Sequence, residues 1–297
     1  MIATRGVVAS SLVVAAMGSP SLALAEDTFQ AEAGLSYSRL KSDSLRQNTA
    51  GAEASYFFDK LPALPKDYPL EQAQFVERIG SLSANFGRTS LDLGNTQGSR
   101  NGSMFGVNAE YRRPDTPMIA RAGIESLYSG TQIDARLYQA SIGAYVGKTT
   151  ALTLDGSRVM TWKKTISGGQ TFSEFSDALT SVGFSGQHLA RLSGGDHVAF
   201  IAGVSRETLV RELAAPEKNR TVFVLATYYP TKMLGLKLGV LSDRGDDRFN
   251  EGEFYLAGVR LFVTPMLSLS LDFQKSHAKA SNGIDFDFVT LKALARF

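Results

Sequence analysis

The chain has 297 residues, with 31 Lys and Arg against 29 Asp and Glu and with no cysteine. This near-neutral balance excludes the strongly basic surface that is typical of nucleic-acid binding, so we expect no nucleic-acid partner. The absence of cysteine excludes a disulfide framework and a thiolate metal site. No apolar run beyond residue 25 approaches the length of a membrane-spanning helix, so any membrane crossing must use strands.

Residues 1–25 predict a cleaved secretory signal peptide. Arg5 supplies the positive charge, residues 7–17 form a short apolar stretch, and Ala23-Leu24-Ala25 has the small-x-small pattern that a signal peptidase recognises. We therefore expect this segment to be removed after export and residues 26–297 to form one domain.

Alternation of apolar and polar residues with a period of two dominates residues 26–297, as in Leu267 to Gln274, where the apolar residues share one face. The pattern predicts an all-β fold of about fourteen strands, with twelve or sixteen as the alternatives. The predicted strands are 28–40, 47–59, 74–90, 102–113, 117–129, 134–147, 150–166, 172–188, 196–210, 220–229, 233–244, 252–264, 266–278 and 285–297.

The connections between these strands alternate in character. Short turns such as Pro230 to Lys232 follow the even strands, while several longer polar connections such as Arg244 to Glu251 follow the odd strands. This asymmetry is typical of an antiparallel transmembrane β-barrel, with both termini expected on the periplasmic side. Residues 60–73 and 189–196 are the exceptions. A soluble β-sandwich also alternates, but the strand number and the asymmetry favour the barrel.

Because the apolar face of such a barrel meets lipid, its polar face is expected to line a water-filled lumen. Eleven charged residues on that face are the predicted lumen lining: Glu32, Glu110, Arg112, Arg121, Glu125, Asp155, Lys237, Arg260, Asp272, Lys292 and Arg296. Their mixed signs predict weak ion selectivity. No loop is obviously long enough to plug the lumen, although residues 167–175 could fold inward.

Two local features support a family resemblance. The last strand ends in Phe297, which resembles the terminal-aromatic signal that the outer-membrane assembly machinery recognises. Residues 55–86, which read SYFFDK, a Pro-rich turn and PLEQAQFVERIGSLSANF, are similar to the first periplasmic turn of some porins of this kind. At the level of architecture, the chain resembles the putative porin family of porin-like β-barrels in Gram-negative outer membranes. This resemblance implies a channel across the outer membrane and carries over no binding residues.

We therefore expect a Gram-negative outer-membrane channel for passive diffusion of small hydrophilic solutes and ions, with no enzymatic activity, cofactor or metal. The expected partners are outer-membrane lipids and lipopolysaccharide, the barrel assembly machinery and the solutes. The sequence leaves the solute, the pore width and the oligomeric state open.

Two alternatives remain, a non-conducting structural or adhesive barrel and a barrel enzyme that acts on lipids. His277 precedes Ser281 by four residues, roughly 13 Å in an extended strand, which is too far for a Ser–His hydrogen bond and weakens the enzyme alternative.

Overall fold

The structure is a computed structural model that describes residues 28–42, 45–92, 99–129, 133–167, 170–211, 216–245, 252–278 and 285–297. The predicted signal peptide lies outside the described residues. Within these ranges no helix is long and apolar enough to cross a membrane.

Fourteen antiparallel strands form one closed barrel in which each strand pairs with its neighbours in sequence and the last pairs with the first. This confirms the predicted fold class and strand number. The strands are β1 (Thr28–Ser42), β2 (Arg46–Pro62), β3 (Ser81–Asp92), β4 (Ser99–Arg112), β5 (Met118–Ser129), β6 (Ile133–Tyr145), β7 (Thr150–Ser167), β8 (Gln170–Arg191), β9 (His197–Arg211), β10 (Glu217–Thr231), β11 (Leu234–Gly245), β12 (Gly252–Thr264), β13 (Leu267–Ala278) and β14 (Phe286–Arg296).

Closure of the barrel depends on the pairing of β1 with β14, which runs in register from Glu32 opposite Arg296 to Ser42 opposite Phe286. The chain end extends this pairing, because the Phe297 amide donates to the Ala31 carbonyl at 2.8 Å and the Phe297 carbonyl accepts from Gln30 at 2.7 Å. Every strand therefore has two partners, and the barrel has no open edge.

The prediction for β3 is wrong at its start. Residues 70–72 form a 3-10 turn, α1 (Ala73–Glu77) follows, and β3 begins only at Ser81. Leu70, Ala73 and Val76 recur every three residues, which is a helical spacing rather than a strand spacing. Arg78 ends α1 in the left-handed conformation with φ of 57°.

The outer face of the barrel is apolar and exposed, as a surface that meets lipid must be. Tyr56, Phe58, Tyr228 and Phe297 point outward near the ends of their strands, as an aromatic girdle requires. Their neighbours Phe57 and Tyr229 are buried inside the barrel, and irregular register at β1–β2 and β10–β11 accompanies this arrangement.

The two ends of the barrel differ. The end that holds both termini and the connections after the even strands is called here the turn end, and the other is the loop end. The longest connection, residues 63–80, lies at the turn end and includes most of the 60–73 segment that was expected to be an exception to the asymmetry. Residues 170–175 belong to β8, in a hairpin that pairs Ser167 with Gln170, rather than to a loop that folds inward.

Candidate functional site

The inner face of the barrel carries the polar side chains that alternate with the lipid-facing residues. On the side formed by β11 to β14, β1 and β2, these charges are joined in pairs. Arg296 Nε donates to Glu32 Oε1 at 2.8 Å, and Lys237 Nζ donates to Asp272 Oδ1 at 2.7 Å. Lys292 forms a further ion pair with Glu53. Paired charges largely cancel one another's field, so this side of the lumen has little net charge.

Two of these pairs cross an intervening strand, and a glycine makes each crossing possible. Lys237 on β11 and Asp272 on β13 both lie opposite Gly258 on β12. A Cβ at Gly258 would lie 2.3 Å from Asp272 Oδ1, a distance that real Cβ atoms do not show. A Cβ at Gly34 would similarly lie 3.0 Å from Glu53 Oε1. The glycines thus leave the space in which charges from alternate strands meet.

The opposite side of the lumen, from β3 to β10, is lined mainly by hydroxyl and amide side chains. These side chains surround an internal cavity of about 600 Å³. The inward residues that line it include Ser81, Ser83, Asn108, Gln139, Ser141, Ser157, Ser181, Ser185, Ser205 and Phe223. Its charged members are Glu110, Arg121 and Asp155. Arg121 Nε pairs with Glu110 Oε2 at 3.0 Å, and Asp155 accepts a 2.8 Å hydrogen bond from Ser185. Such a wall can hydrogen-bond a neutral solute in any orientation.

Residues 63–80, called here the plug, fold into the turn end of the barrel. Tyr145 on β6 donates to the Phe75 carbonyl at 2.8 Å, and Leu70 N donates to the Lys232 carbonyl at 3.0 Å. His197 Nε2 on β9 donates to the Asp67 carbonyl at 2.9 Å. Because these contacts reach widely separated strands, the plug spans the mouth of the barrel.

An apolar core fixes the plug in this position. The plug contributes Ala63, Tyr68, Ala73, Phe75 and Ile79, and the barrel wall contributes Phe29, Phe57, Leu61, Ile119, Tyr145, Ala151, Leu189, Ala199 and Tyr229. Burial of one large apolar side chain stabilises a protein by roughly 1.5–3 kcal/mol. Several such side chains act together here, so the plug is docked stably rather than resting loosely in the mouth.

Glu71 is the charged anchor of the plug. Its carboxylate pairs with Arg260 Nη1 at 3.0 Å and accepts from the Tyr229 hydroxyl at 3.2 Å. The adjacent Gln72 donates to the same hydroxyl at 2.8 Å and accepts from Gln187 Nε2 at 3.1 Å. Glu71 and Gln72 thereby connect the plug to β8, β10 and β12 through buried polar contacts.

Tyr68 of the plug also makes a polar contact, because its hydroxyl donates to Glu77. Burial and the neighbouring Glu77 carboxylate raise the pKa of Tyr68 above its usual range. Tyr68 therefore stays protonated at physiological pH and remains a donor to Glu77.

Comparison with protein families settles the relationship. Residues 4–166, more than half of the chain, match the family model described as putative general bacterial porin. The chain belongs to this family. Among curated proteins none matches the chain.

Several solved outer-membrane proteins are similar to this porin-family member. The outer-membrane protein Omp33 of Acinetobacter baumannii shares 14% sequence identity and a TM-score of 0.57, over 91% of this chain and 99% of that one. A loop-deletion mutant of OmpT from Vibrio cholerae gives 10% identity and a TM-score of 0.48, over 92% and 100% of the two chains. A deletion mutant of the monoaromatic hydrocarbon channel TodX shares 10% sequence identity and a TM-score of 0.49, over 92% of this chain and 91% of that one. With the family match, the first likeness supports a β-barrel of the Gram-negative outer membrane.

All eleven predicted lumen residues lie on the inner face, but not all of them line open space. Arg112, Glu125 and Arg296 are buried, each 8% exposed. Arg112 packs over the Phe75 ring of the plug, and Arg296 donates to the Leu70 carbonyl of the plug at 3.4 Å. Arg260 pairs with Glu71 of the plug, so three of the eleven contact the plug, and the buried Arg112 and Arg296 do not face open lumen.

Sequence reasoning missed the acidic partners Glu53 and Glu71. Glu53 follows the alternation of β2 and could have been assigned to the inner face from its position. Glu71 lies in the plug, which the sequence analysis divided between a turn and the start of a strand. No loop was expected to be obviously long enough to plug the lumen, whereas in the structure an 18-residue connection with apolar residues at helical spacing folds inward.

The histidines show no catalytic arrangement in the part of the chain that the structure describes. His277 points outward, with its Nδ1 3.7 Å from Asp285 Oδ2, while the adjacent Ser276 is buried on the inner face. Ser281 lies outside the described residues. Across the described ranges no cluster of three or more potential metal ligands occurs.

Proposed function

We propose that this porin-family chain is a narrow channel for passive diffusion of small hydrophilic solutes and ions across the outer membrane. The internal cavity of about 600 Å³ with its hydroxyl and amide lining carries the proposal. A small polar solute exchanges hydrogen bonds with water for hydrogen bonds with such a wall, so it crosses without a large desolvation cost.

The plug limits the size of the solute in this proposal. Ser81 lines the cavity and accepts a 3.0 Å hydrogen bond from Gln74 of the plug, so the cavity extends to the plug surface. With the turn end facing the periplasm, the plug restricts the periplasmic mouth. Permeation then requires passage beside the plug or a partial displacement of it.

The paired charges support weak ion selectivity. All six predicted basic residues form ion pairs with acidic partners within the barrel, at Lys237–Asp272, Arg260–Glu71, Lys292–Glu53, Arg296–Glu32, Arg121–Glu110 and Arg112–Glu110. Because the described strands present no row of like charges to the lumen, neither cations nor anions should be strongly preferred.

Planar-bilayer recording and liposome swelling test the proposal. Purified protein should give small, discrete conductance steps, and liposomes that contain it should swell fastest with the smallest neutral sugars. A variant whose residues 63–79 are replaced by a short turn should conduct more. If both proteins are folded by heat-modifiable migration and neither conducts, the channel proposal fails and a structural barrel remains.

We also propose that the chain catalyses no reaction. Among the described residues, the exposed His277–Asp285 pair is 3.7 Å apart, too long for the hydrogen bond that orients a catalytic base. The Thr150 hydroxyl lies 2.8 Å from His188 Nδ1, but no described carboxylate is hydrogen-bonded to that ring to complete a catalytic arrangement. A lipid hydrolase activity of the purified protein that disappears in His277→Ala would overturn this view.

A further inference from the structure

Three arginines lie side by side on the outer face of the barrel near its loop end. In the strand register, Arg206 on β9 is directly opposite Arg220 on β10, and Arg220 is directly opposite Arg244 on β11. All three are exposed, and their strand positions alternate with inward residues such as Thr221. Together they are called here the arginine row.

The arginine row is electrostatically unfavourable on its own. Like charges directly opposite in a sheet repel one another. Among the described residues, no ion pair or hydrogen bond links a carboxylate to any of the three. Within the part of the chain that the structure describes, the row therefore lacks an anionic partner, and a bound anion would relieve the repulsion.

The surface next to the row is apolar. Two residues closer to the turn end on β9, Val204 lies between Phe184 on β8 and Val222 on β10, directly opposite each of them. Phe184 is 50% and Val222 is 45% exposed, which leaves an apolar surface for lipid chains. Lys218 lies on the other side of the row, two residues before Arg220.

A groove joins these two surfaces. It has a volume of about 700 Å³ and is lined by Val182, Phe184 and Val204 together with Arg206, Lys218, Arg220 and Arg244. An amphiphile with anionic groups at the charged end and chains along the apolar end matches this division. Arginine forks fit phosphate geometry by bidentate hydrogen bonds.

Outside the arginine row, the loop-end half of the outer surface is also rich in basic residues. Further outward-facing basic residues of the loop-end half include Arg39, Lys41, Arg46, Arg88, Arg158 and Lys275. Basic clusters at a membrane boundary bind anionic lipid headgroups. The arginine row is the place where three of these charges converge in register above an apolar groove.

We propose that the arginine row and its groove form a binding site for the phosphorylated headgroup of lipopolysaccharide in the outer leaflet. The phosphates contact Arg206, Arg220 and Arg244, and acyl chains lie along Phe184 and Val204. The site places the loop end at the outer leaflet and the turn end at the periplasm. It does not depend on whether the lumen conducts.

The test uses the full-length barrel in detergent with lipid A as the probe, and binding is followed by native mass spectrometry. The variant is Arg206→Gln/Arg220→Gln/Arg244→Gln, and its matched control is Arg39→Gln/Arg88→Gln/Arg158→Gln, which removes equal charge from the same end. Loss of one arginine that contacts a phosphate should weaken binding about fivefold, so the row variant, which loses three, should bind about a hundredfold more weakly. The control should stay close to wild type.

Binding measurements with other probes identify the part of the ligand that the site recognises. Lipid A without its phosphates should bind wild type as weakly as intact lipid A binds the row variant, and inorganic phosphate alone should not compete. Phosphatidylglycerol that binds equally well with the same dependence on the row would overturn the assignment to lipopolysaccharide. Equal loss in both triple variants would reduce the effect to net surface charge and also overturn the site. Conductance recorded in parallel should match wild type in both variants.

Discussion

Individual charges of the lumen act through their partners, and the Lys237–Asp272 pair provides a test of this at the scale of one residue. Lys237→Gln leaves the Asp272 carboxylate without its 2.7 Å partner, so the reversal potential in a salt gradient should shift toward cation preference. Asp272→Asn should shift it in the opposite direction.

The double variant Lys237→Gln/Asp272→Asn is the matched control and should return to the weak selectivity of the wild type. Shifts of the same sign in both single variants would contradict the assignment of this pair to the conducting path.

Gly258 provides a second prediction at this scale. Gly258→Ala places a methyl group against the Asp272 carboxylate and 3.3 Å from the Leu271 carbonyl, so the carboxylate must move away from Lys237. Overpacking of this kind costs about 1–3 kcal/mol in the free energy of unfolding.

Urea titration of the refolded barrel measures this loss. Gly156→Ala is the control, because a Cβ there meets nothing closer than 3.9 Å, and its unfolding midpoint should equal or slightly exceed that of wild type. Equal stability of the two variants would show that the ion pair tolerates the methyl group.

At the scale of elements, the sequence predicted the strands better than the segment between them. The strands follow from alternation, because lipid outside and polar groups inside impose a period of two along every strand. Phe57 and Tyr229 are exceptions, since both keep the regular inward position but pack in the apolar core with the plug instead of facing water. Which side chains pair across Gly258 or Gly34 follows only from the register of three strands, which one strand's pattern does not contain.

The plug was missed for a different physical reason. Its apolar residues bury themselves against the inside of the wall, and no such apolar interior is expected of a water-filled barrel. Leu70, Ala73 and Val76 recur at a spacing of three, but α1 spans only five residues, too few for a clear helical period.

The plug's apolar anchor gives the prediction for this scale. Phe75→Ala removes a ring that is 5% exposed and lies 5.4 Å from the Tyr145 ring, which should cost about 3–5 kcal/mol of docking energy. Single-channel conductance should rise, and its open state should become noisier, because the plug then leaves the mouth more often.

Leu82→Ala is the control for Phe75→Ala, since Leu82 is 47% exposed on the outer face beside the plug and contacts lipid instead. Its conductance should equal that of wild type. Unchanged conductance in Phe75→Ala, with the barrel folded, would mean that the conducting path does not pass the plug.

At the scale of the whole molecule, a substitution of Phe297 distinguishes the assembly of the barrel in cells from the stability of the folded barrel. Its backbone completes the pairing of the last strand with β1, but its ring is 51% exposed on the outer face and adds little internal packing. Phe297→Ala keeps the backbone hydrogen bonds, so refolding in detergent and the urea midpoint should match wild type. If the assembly machinery recognises the terminal aromatic, the amount of folded, heat-modifiable protein in the outer membrane of expressing cells should fall several-fold.

The control is Phe273→Ala, which removes another outward ring, 40% exposed on β13, and should leave cellular assembly intact. Equal cellular levels of all three proteins would remove the terminal ring from the assembly step, whereas a parallel loss in detergent would make its role one of stability.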